Sequence, residues 1–543
     1  MVFARRSTTL LAAIVASCAM VLSLTACTSD NKTVVDGQTT VTSNSAGGVA
    51  VFTPSDGITL NQQTPLNKWA KLVPDLTKAL VDAGFKKGDI DHTTSDSLDK
   101  QSRAIQDFVV DHLSNNTTGD SGIAIAPDNM TLLVAPVVEA DASTRQYGDY
   151  VSQNLSTNDA TDEGATSDGD SSEDSSSKDD SSNTESDGTA SDKQAQAVDR
   201  LVSSLKLAKE SGMHVVLLGN SIEGYKPDAF VKFSDAQTIG KLQAEKMVSK
   251  LKLDKASKDN PKYIEVLLPY TAVDEKGNAN DSTFAQEAFR GIWQVLGSYY
   301  QKGVVESPSG TLDGKSTEND WQAVAYDAAK EGSTAKVLDK RLAKTDGQST
   351  LTRIDGIITM NDYIASEVVK ELDDLGYTGS AADINPQITI SGIVGNITGK
   401  KDLSRDAVPD PIKSPENDNA NDSSSSDDDA DKDTSASDKD RDSQWPLVTG
   451  YGAYVSNIPS IVNGKQWMTG MEDRQTIATD IAQACARLNK NEALNSMPSI
   501  RNSEVGGVKK IPTINEPLLA VSASNLKSAL IDPGYISLAD AGL

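Results

Sequence analysis

Asn361 and Asp362 lie where a strand pattern changes into a helix pattern, at a position where polar side chains can bind a ligand. Residues 354–360 contain β-branched residues and no charge after Asp355, as is typical of a buried parallel strand. In open α/β folds such a turn lies at the carboxyl edge of the sheet, where ligands bind. An amide and a carboxylate here could hydrogen-bond a ligand, or they could only cap the helix. The fragment alone leaves both interpretations open.

The residues after Asp362 predict the helix that positions this pair. Ile364, Val368 and Leu372 recur at helical spacing, and charged residues stand between them. Gly376 follows the last apolar residue and is expected to end the helix.

The sequence contains none of the common motifs for nucleotide binding or nucleophilic catalysis. There is no GxxxxGK[ST] loop, no GxGxxG between a strand and a helix, and no GxSxG turn. The three histidines, His92, His112 and His214, are scattered and lack the spacing of metal ligands. We therefore predict binding rather than catalysis, with no cofactor and no metal. A hydrolase that uses scattered carboxylates is the alternative in which the protein is an enzyme, but no acid/base pair can be identified for it.

Composition separates an ordered part of the chain from two acidic tracts. The net charge of −27 argues against nucleic acid or anionic lipid as partners. Residues 156–192 and 414–443 consist mainly of Ser, Asp and other polar residues. Such segments cannot offset the entropy of ordering, so we predict two disordered acidic insertions.

The N-terminus has the pattern of an export signal that ends at a lipidated cysteine. Arg5 and Arg6 precede a long apolar run, and Leu-Thr-Ala-Cys at 24–27 resembles the lipobox of bacterial lipoproteins. We predict lipidation of Cys27, anchoring at the extracytoplasmic face of the cell membrane, and a flexible tether at residues 28–47. An uncleaved transmembrane anchor is the alternative. Cys485 would be the only free thiol of the mature chain, and its helical context predicts a small buried residue.

With the tracts removed, strand and helix patterns alternate along the remaining chain, which predicts parallel sheets covered on both faces. The length suits two such sheets, and hence two lobes with a ligand-binding cleft between them. The predicted division is a signal at 1–27, a tether at 28–47, an N-terminal lobe at 48–228, a C-terminal lobe at 229–450, a return to the lobes and hinge at 451–490, and a C-terminal segment at 491–543.

The order of these features resembles the type I periplasmic-binding-protein family. It is most similar to the sugar ABC transporter solute-binding lipoproteins of the xylose- and multiple-sugar-binding branch. The segments that carry the resemblance are IDGIITMNDYIASEVVKELDDLGY, ITISG and IVNGKQWMTGMEDRQTIATDIA. The resemblance covers about residues 48–490 without the tracts. It implies two Rossmann-like α/β lobes that are joined by three crossings and close on a sugar, no enzymatic activity, an ABC permease as partner, and a monomer.

The resemblance also implies which residues contact the ligand. Asn361 matches the ligand-binding Asn of the family's Asn-Asp turn, and its amide can donate and accept towards neighbouring hydroxyls. Further contacts are implied at Trp69, Asn280, Asp281, Asp320 and Trp321. A helix cap at Asn280-Asp281 and simple packing of Trp321 at a helix start remain open as alternatives.

At two positions, this sequence lacks charged residues that contact the ligand in the family's pattern. Thr449-Gly450-Tyr451-Gly452-Ala453 stands where the sugar binders have Ser-Gly-Gln-Asp-Ala, so a carboxylate is missing and Tyr451 becomes the candidate contact. Leu218-Gly219-Asn220 stands where the family often has Tyr-Asp-Arg, which makes Asn220 the candidate there. The expected function is therefore capture of a small polar ligand, with a sugar as the leading candidate. The alternative is a surface or sensory lipoprotein that no longer serves transport.

Overall fold

The computed structural model describes residues 34–35, 38–39, 46–56, 65–115, 125–138, 142–157, 190–273, 279–343, 351–381 and 443–543. The chain separates into two compact units, Met1–Asn44 and Ser45–Leu543. In the first unit, strands Val34–Val35 and Gln38–Thr39 form an antiparallel pair. The predicted signal with Cys27 and nearly all of both predicted acidic insertions lie outside the described residues.

A seven-stranded sheet forms the base of the N-terminal lobe. Its spatial order is Ile500–Val505, Val508–Asn515, Ala229–Lys232, His214–Leu218, Met130–Val134, Gly48–Pro54 and Ile90–Ser95. All neighbouring strands are parallel except the hairpin of Ile500–Val505 and Val508–Asn515. Its central strands are apolar at nearly every position because helices cover both faces.

Alternate residues of Gly48–Pro54 serve the two faces of this sheet. Val49 and Val51 pack in one core with helices Trp69–Asp82 and Arg474–Leu488. Ala50 and Phe52 pack in a second core, on the opposite face, with two further helices. Those other helices are Leu98–Asn115 and Ala190–Glu210. Cys485 is buried within the first of these cores, as predicted.

A six-stranded sheet forms the base of the C-terminal lobe. Its spatial order is Val305–Glu306, Lys262–Val266, Gly356–Ile358, Leu447–Tyr451, Met468–Met471 and Leu519–Ser522. The first five are parallel and the last is antiparallel. Helices Ala236–Lys250 and Thr283–Gln301 contribute to one hydrophobic core at this sheet, and Ser333–Arg341 and Asp362–Leu375 contribute to another. The first two helices approach so closely that a Cβ on Gly291 would lie 2.0 Å from the Gln237 carbonyl oxygen.

Short elements complete the two lobes. Asn154–Leu155 pairs with Ser221–Ile222, and Leu268–Pro269 pairs with Ala325–Tyr326. The remaining short helices are Ala142–Arg145, Trp321–Val324, Ile458–Val462 and the π-helical turn Lys527–Ile531. Within the described ranges, no helix is long and apolar enough to cross a membrane.

Three crossings connect the two sheets along the described chain. They lie between Lys232 and Ala236, between Met471 and Arg474, and between Asn515 and Leu519. The α/β class with two parallel sheets, predicted from the sequence, is confirmed.

The sheet memberships shift the lobe boundaries relative to the sequence-based division. Ala229–Lys232 belongs to the seven-stranded sheet, so the first boundary follows Lys232 rather than residue 228. Residues 491–543 supply a hairpin to one sheet and an edge strand to the other. Both differences have the same cause, because a strand's sheet is decided by its pairing partners, which are distant in sequence, and not by its own residues.

Candidate functional site

The candidate site lies where turns at the carboxyl ends of strands from the two lobes come into contact. Asn361 follows strand Gly356–Ile358 of the C-terminal lobe, and its Nδ2 donates to Gln146 Oε1 at 3.1 Å. Gln146 directly follows the short helix Ala142–Arg145, in the segment after strand Met130–Val134 of the N-terminal lobe. The Tyr454 hydroxyl, from the C-terminal lobe, also donates to the Gln146 carbonyl oxygen at 2.7 Å. At this point, neutral amide and hydroxyl groups make the hydrogen bonds between the lobes.

Asn361 caps its helix with the oxygen of its side-chain amide and contacts the other lobe with the nitrogen. Its Oδ1 accepts the Ile364 amide at 2.9 Å and so caps the helix Asp362–Leu375. Its Nδ2 remains available for the interlobe contact with Gln146. The preceding Met360 has a φ of +69°, a left-handed conformation that costs energy for a residue other than glycine. The turn is thus strained where it presents Asn361.

Asp362 is committed to internal hydrogen bonds. Its carboxylate accepts from the Tyr454 amide at 2.9 Å, the Thr469 hydroxyl at 2.8 Å and the Gln466 side-chain amide at 2.7 Å. Burial raises the pKa of Asp362 to about 6, and the hydrogen bonds oppose that rise. A Cβ on Gly450 would lie 2.2 Å from Asp362 Oδ1, so glycine is required there for the carboxylate to fit. Asp362 therefore joins two neighbouring strand ends and is not offered to a ligand.

Tyr451 lies beside the first two crossings between the lobes. Its hydroxyl hydrogen-bonds the Ser234 hydroxyl and donates to Glu472 Oε1 at 3.4 Å, while the Ser234 amide donates to the same oxygen at 2.6 Å. Burial raises the pKa of Glu472 to about 7 and holds the pKa of Tyr451 well above its ordinary value. Tyr451, Ser234 and Glu472 thus link the two crossing segments through a buried polar cluster.

Replacing the Tyr451 hydroxyl tests this cluster. Tyr451→Phe keeps the ring but leaves Glu472 and Ser234 with one partner fewer in a buried environment, so we expect the free energy of unfolding to fall by about 1–2 kcal/mol. Urea denaturation would measure the change. Tyr299→Phe removes a hydroxyl that bonds only the exposed Asp254, and it serves as the matched control. Equal midpoints for the two variants would contradict the role of the cluster.

Trp69 and Asn220, both predicted to contact a ligand, lie in the N-terminal lobe. Trp69 is buried at the start of its helix, with ring centroids 5.0 Å from Tyr150 and 5.6 Å from Phe233. Asn220 Nδ2 donates to the Pro136 carbonyl oxygen at 2.9 Å, and its Oδ1 accepts the Gln153 amide at 2.9 Å. Both side chains hold turns together at the carboxyl end of the sheet.

The four other predicted residues are engaged within the C-terminal lobe. Asn280 Nδ2 donates to the Thr271 carbonyl oxygen at 2.8 Å, and the Trp321 ring lies 5.1 Å from Tyr270. The two carboxylates bond local backbone amides, from Thr283 to Asp281 at 3.0 Å and from Thr317 to Asp320 at 2.7 Å. Of the eight predicted residues, Asn361 contacts Gln146, and the Tyr451 ring lies 6.3 Å from the Tyr147 ring. The four residues described here instead have their contacts elsewhere in the C-terminal lobe.

Sequence reasoning missed residues 144–153, which we call the interlobe segment. Tyr147 is 1% exposed, and its ring centroid lies 4.7 Å from Phe284 and 6.3 Å from Tyr451. Gly148 follows with a φ of +96°, and a Cβ there would lie 2.6 Å from the Asn67 carbonyl oxygen. Two tyrosines around a glycine, in a chain with only 5% aromatic residues, were the available signal.

The interlobe segment also supplies a carboxylate to the start of the helix Trp69–Asp82. Asp149 accepts from Lys68 Nζ at 2.8 Å and from the Trp69 amide at 3.1 Å. Asp56 accepts the next amide, from Ala70, at 3.2 Å. Burial, and then the neighbouring Asp149, raise the pKa of Asp56 to about 6. The positive end of this helix is therefore already neutralised by the protein itself.

A cavity of about 230 Å³ lies between two of the crossing segments. It is lined by Lys232, Phe233, Ser234, Thr238, Asn515, Glu516, Pro517 and Leu518. Its lining comes from the crossings and does not include the eight predicted ligand residues. Its volume is below the range of about 300–1,000 Å³ that is usual for drug-sized ligands.

Neither a protein-family model nor a curated protein matches this sequence. Solved structures similar to this chain include an ABC transporter solute-binding protein from Clostridium phytofermentans with bound β-D-glucose, at 17% identity over 91% of this chain and 99% of that chain, with a TM-score of 0.44. A carbohydrate transporter solute-binding protein from Chloroflexus aurantiacus in complex with D-glucose has 17% identity over 92% and 98%, with a TM-score of 0.44. An arabinose-binding protein from Geobacillus stearothermophilus has 10% identity over 89% and 99%, with a TM-score of 0.42.

Proposed function

We propose that this chain is an extracytoplasmic, lipid-anchored solute-binding protein that closes its two lobes on a small polar ligand and delivers it to an ABC permease. A sugar is the expected ligand, and no reaction is catalysed. The observation that carries the proposal is the contact of Asn361 with Gln146, in which a buried amide at the carboxyl edge of one sheet reaches a polar group of the other lobe.

The three crossings support opening and closing of the lobes. Each joins strands or helices of different lobes through two or three intervening residues, such as 516–518. Hinge motion commonly concentrates in a few residues at the ends of elements. Closure about these crossings would bring the carboxyl edges of the two sheets onto a ligand.

The chemistry of the interlobe contacts supports a neutral ligand rather than an ion. The groups that meet between the lobes include the Asn361 and Gln146 amides and the Tyr454 hydroxyl. The buried carboxylates Asp362 and Glu472 already accept hydrogen bonds from protein donors. Amides that donate and accept together suit the neighbouring hydroxyls of a sugar.

The N-terminus supports attachment to the membrane surface. Lipidation at Cys27 would supply two acyl chains, enough for stable anchoring, and residues 28–47 would form the tether. The chain would act as a monomer with the permease as its partner. We further propose that Trp69, Asn220, Asn280, Asp281, Asp320, Trp321 and Tyr451 shape or support the binding region.

A surface or sensory lipoprotein that no longer serves transport is the second candidate. It is favoured by the loss of the charged ligand positions at Tyr451 and Asn220, and by Tyr147 filling the space between the lobes. A neighbouring permease and ATPase gene pair would favour transport, whereas a neighbouring sensor kinase gene would favour the second candidate.

A thermal-shift experiment tests the site. A monosaccharide present at a hundred times its dissociation constant should add about 2.7 kcal/mol of stability to the wild type. Asn361→Ser retains a capping oxygen but loses the amide that reaches across the lobes. We expect it to abolish the sugar-dependent shift while changing the sugar-free stability by less than about 1 kcal/mol.

The panel should include monosaccharides, short oligosaccharides, nucleosides and amino acids. Asn361→Ala, which loses both the cap and the amide, gives the combined effect for comparison. A sugar shift that survives in Asn361→Ser would place the ligand away from this turn. The absence of any shift in the wild type would favour the second candidate.

A further inference from the structure

The interlobe segment contacts the C-terminal lobe through Gln146 and Tyr147, and Val151 is buried in the same hydrophobic core as Tyr147. Gln146 accepts from Asn361 Nδ2 with its side chain and from the Tyr454 hydroxyl with its carbonyl oxygen. The Tyr147 ring packs against Phe284 and Tyr451. The Gln146 carboxamide thus hydrogen-bonds the Asn361 amide, and the Tyr147 ring covers the aromatic surface formed by Phe284 and Tyr451.

The same segment is fixed to the N-terminal lobe by the residues that follow. The Asp149 amide donates to the Asn67 carbonyl oxygen at 2.8 Å, and the Asp149 carboxylate pairs with Lys68 at 2.8 Å. The Tyr150 hydroxyl donates to the Lys68 carbonyl oxygen at 2.5 Å. The Ser152 amide donates to the Ser234 carbonyl oxygen, in the first crossing, at 3.0 Å.

Gly148 separates these two halves. Its left-handed φ of +96° lets the chain turn between Tyr147 and Asp149. Gln146 hydrogen-bonds Asn361 and Tyr454 of the C-terminal lobe, the Tyr147 ring packs against Phe284 and Tyr451, and neither residue belongs to a sheet. They could therefore leave the C-terminal lobe without disrupting a sheet or the attachment at Asp149.

We propose that Gln146 and Tyr147 are an internal occupant of the ligand site, and that an external ligand competes with them for Asn361 and the aromatic surface of Phe284 and Tyr451. This inference rests on the proposed solute-binding function. Asn361 is fully buried, and a ligand that takes the Nδ2 hydrogen now donated to Gln146 must displace that side chain. The apparent affinity is then lowered by the fraction of molecules in which the interlobe segment is withdrawn.

The test compares sugar affinity in the wild type and in variants of the interlobe segment. Isothermal titration with D-glucose and D-xylose would be applied to the wild type, Gln146→Ala, and the double variant Gln146→Ala/Tyr147→Ala. We expect the double variant to bind at least one of these sugars ten or more times more tightly than the wild type, with a smaller gain for Gln146→Ala alone. Arg145→Ala changes an exposed neighbour in the same segment and should leave the affinity unchanged.

The outcomes separate this inference from the proposed function. Equal sugar affinity in the wild type and both variants would overturn competition and leave the solute-binding function standing. If neither sugar binds any of the proteins, the proposed function fails for these sugars, and small-angle scattering decides the inference. A larger radius of gyration in the sugar-free double variant than in Arg145→Ala supports an occupant that holds the lobes together, and equal radii overturn it.

Discussion

Asp362→Ala is expected to lower the free energy of unfolding by roughly 4 kcal/mol, because it leaves several buried donors without an acceptor. The carboxylate is fully buried and accepts from Tyr454, Thr469 and Gln466. Each unpaired buried donor costs about 1–3 kcal/mol, and the lost hydrogen bonds also release the ends of two neighbouring strands. Urea denaturation monitored by circular dichroism would measure the change.

Asp320→Ala is the matched control for this substitution. Asp320 likewise follows an Asn and precedes an aromatic residue at the start of a helix, but it is exposed and bonds only Thr317. We expect its removal to cost no more than about 1 kcal/mol. Similar losses for the two variants would show that the Asp362 network contributes no more to stability than an exposed carboxylate that bonds one neighbouring residue.

Glu472→Gln is expected to stabilise the protein at pH 8 and to flatten its dependence on pH. Burial raises the pKa of Glu472 from an ordinary value near 4.5 to about 7. The folded state then binds this proton more tightly than the unfolded state, so its contribution to stability is full below about pH 4.5 and is lost as the pH rises through 7. This difference in pKa corresponds to a loss of stability on the order of 3 kcal/mol between the two ends of that pH range. Glutamine cannot ionise and can still accept the Ser234 amide.

The measurement is thermal or urea unfolding of both proteins between pH 4.5 and pH 8. Other buried carboxyl groups, such as Asp362, titrate in both proteins, so only the difference between them reports on Glu472. Glu504→Gln, at an exposed position, is the control and should follow the wild type throughout. A difference between wild type and Glu472→Gln that does not grow with pH would show that Glu472 is not protonated in the folded state at neutral pH.

Glu472 also makes contacts at the crossings about which the proposed movement of the lobes would occur. It accepts from Ser234 in the first crossing and itself lies in the second, where its amide donates to Asn67 Oδ1 at 3.4 Å. The Ser234 contact joins the first two crossings, whose geometry would change in the proposed opening of the lobes. The same buried cluster that titrates is therefore placed where the hinge would bend.

Asn361 shows which features of the site can be predicted from the local sequence pattern and which cannot. The change from a strand pattern to a helix pattern placed it at the carboxyl edge of a sheet, and the structure has it there, capping the helix Asp362–Leu375. The interlobe contact with Gln146 had no local signal, because the two residues are 215 positions apart. For the same reason the commitment of Asp362 to Thr469 and Gln466 could not be anticipated.

The sequence by itself determined the α/β class, the helix that begins after Asn361 and ends at Gly376, and the burial of Cys485. Periodicity, capping and glycine conformation act within a few residues, so they can be read along the chain. Only the tertiary structure decided that Ala229–Lys232 and Val508–Asn515 pair in one sheet and that Tyr147 fills the space between the lobes. Strand pairing and interlobe packing join residues far apart in sequence, and their partners are chosen only when the whole chain folds.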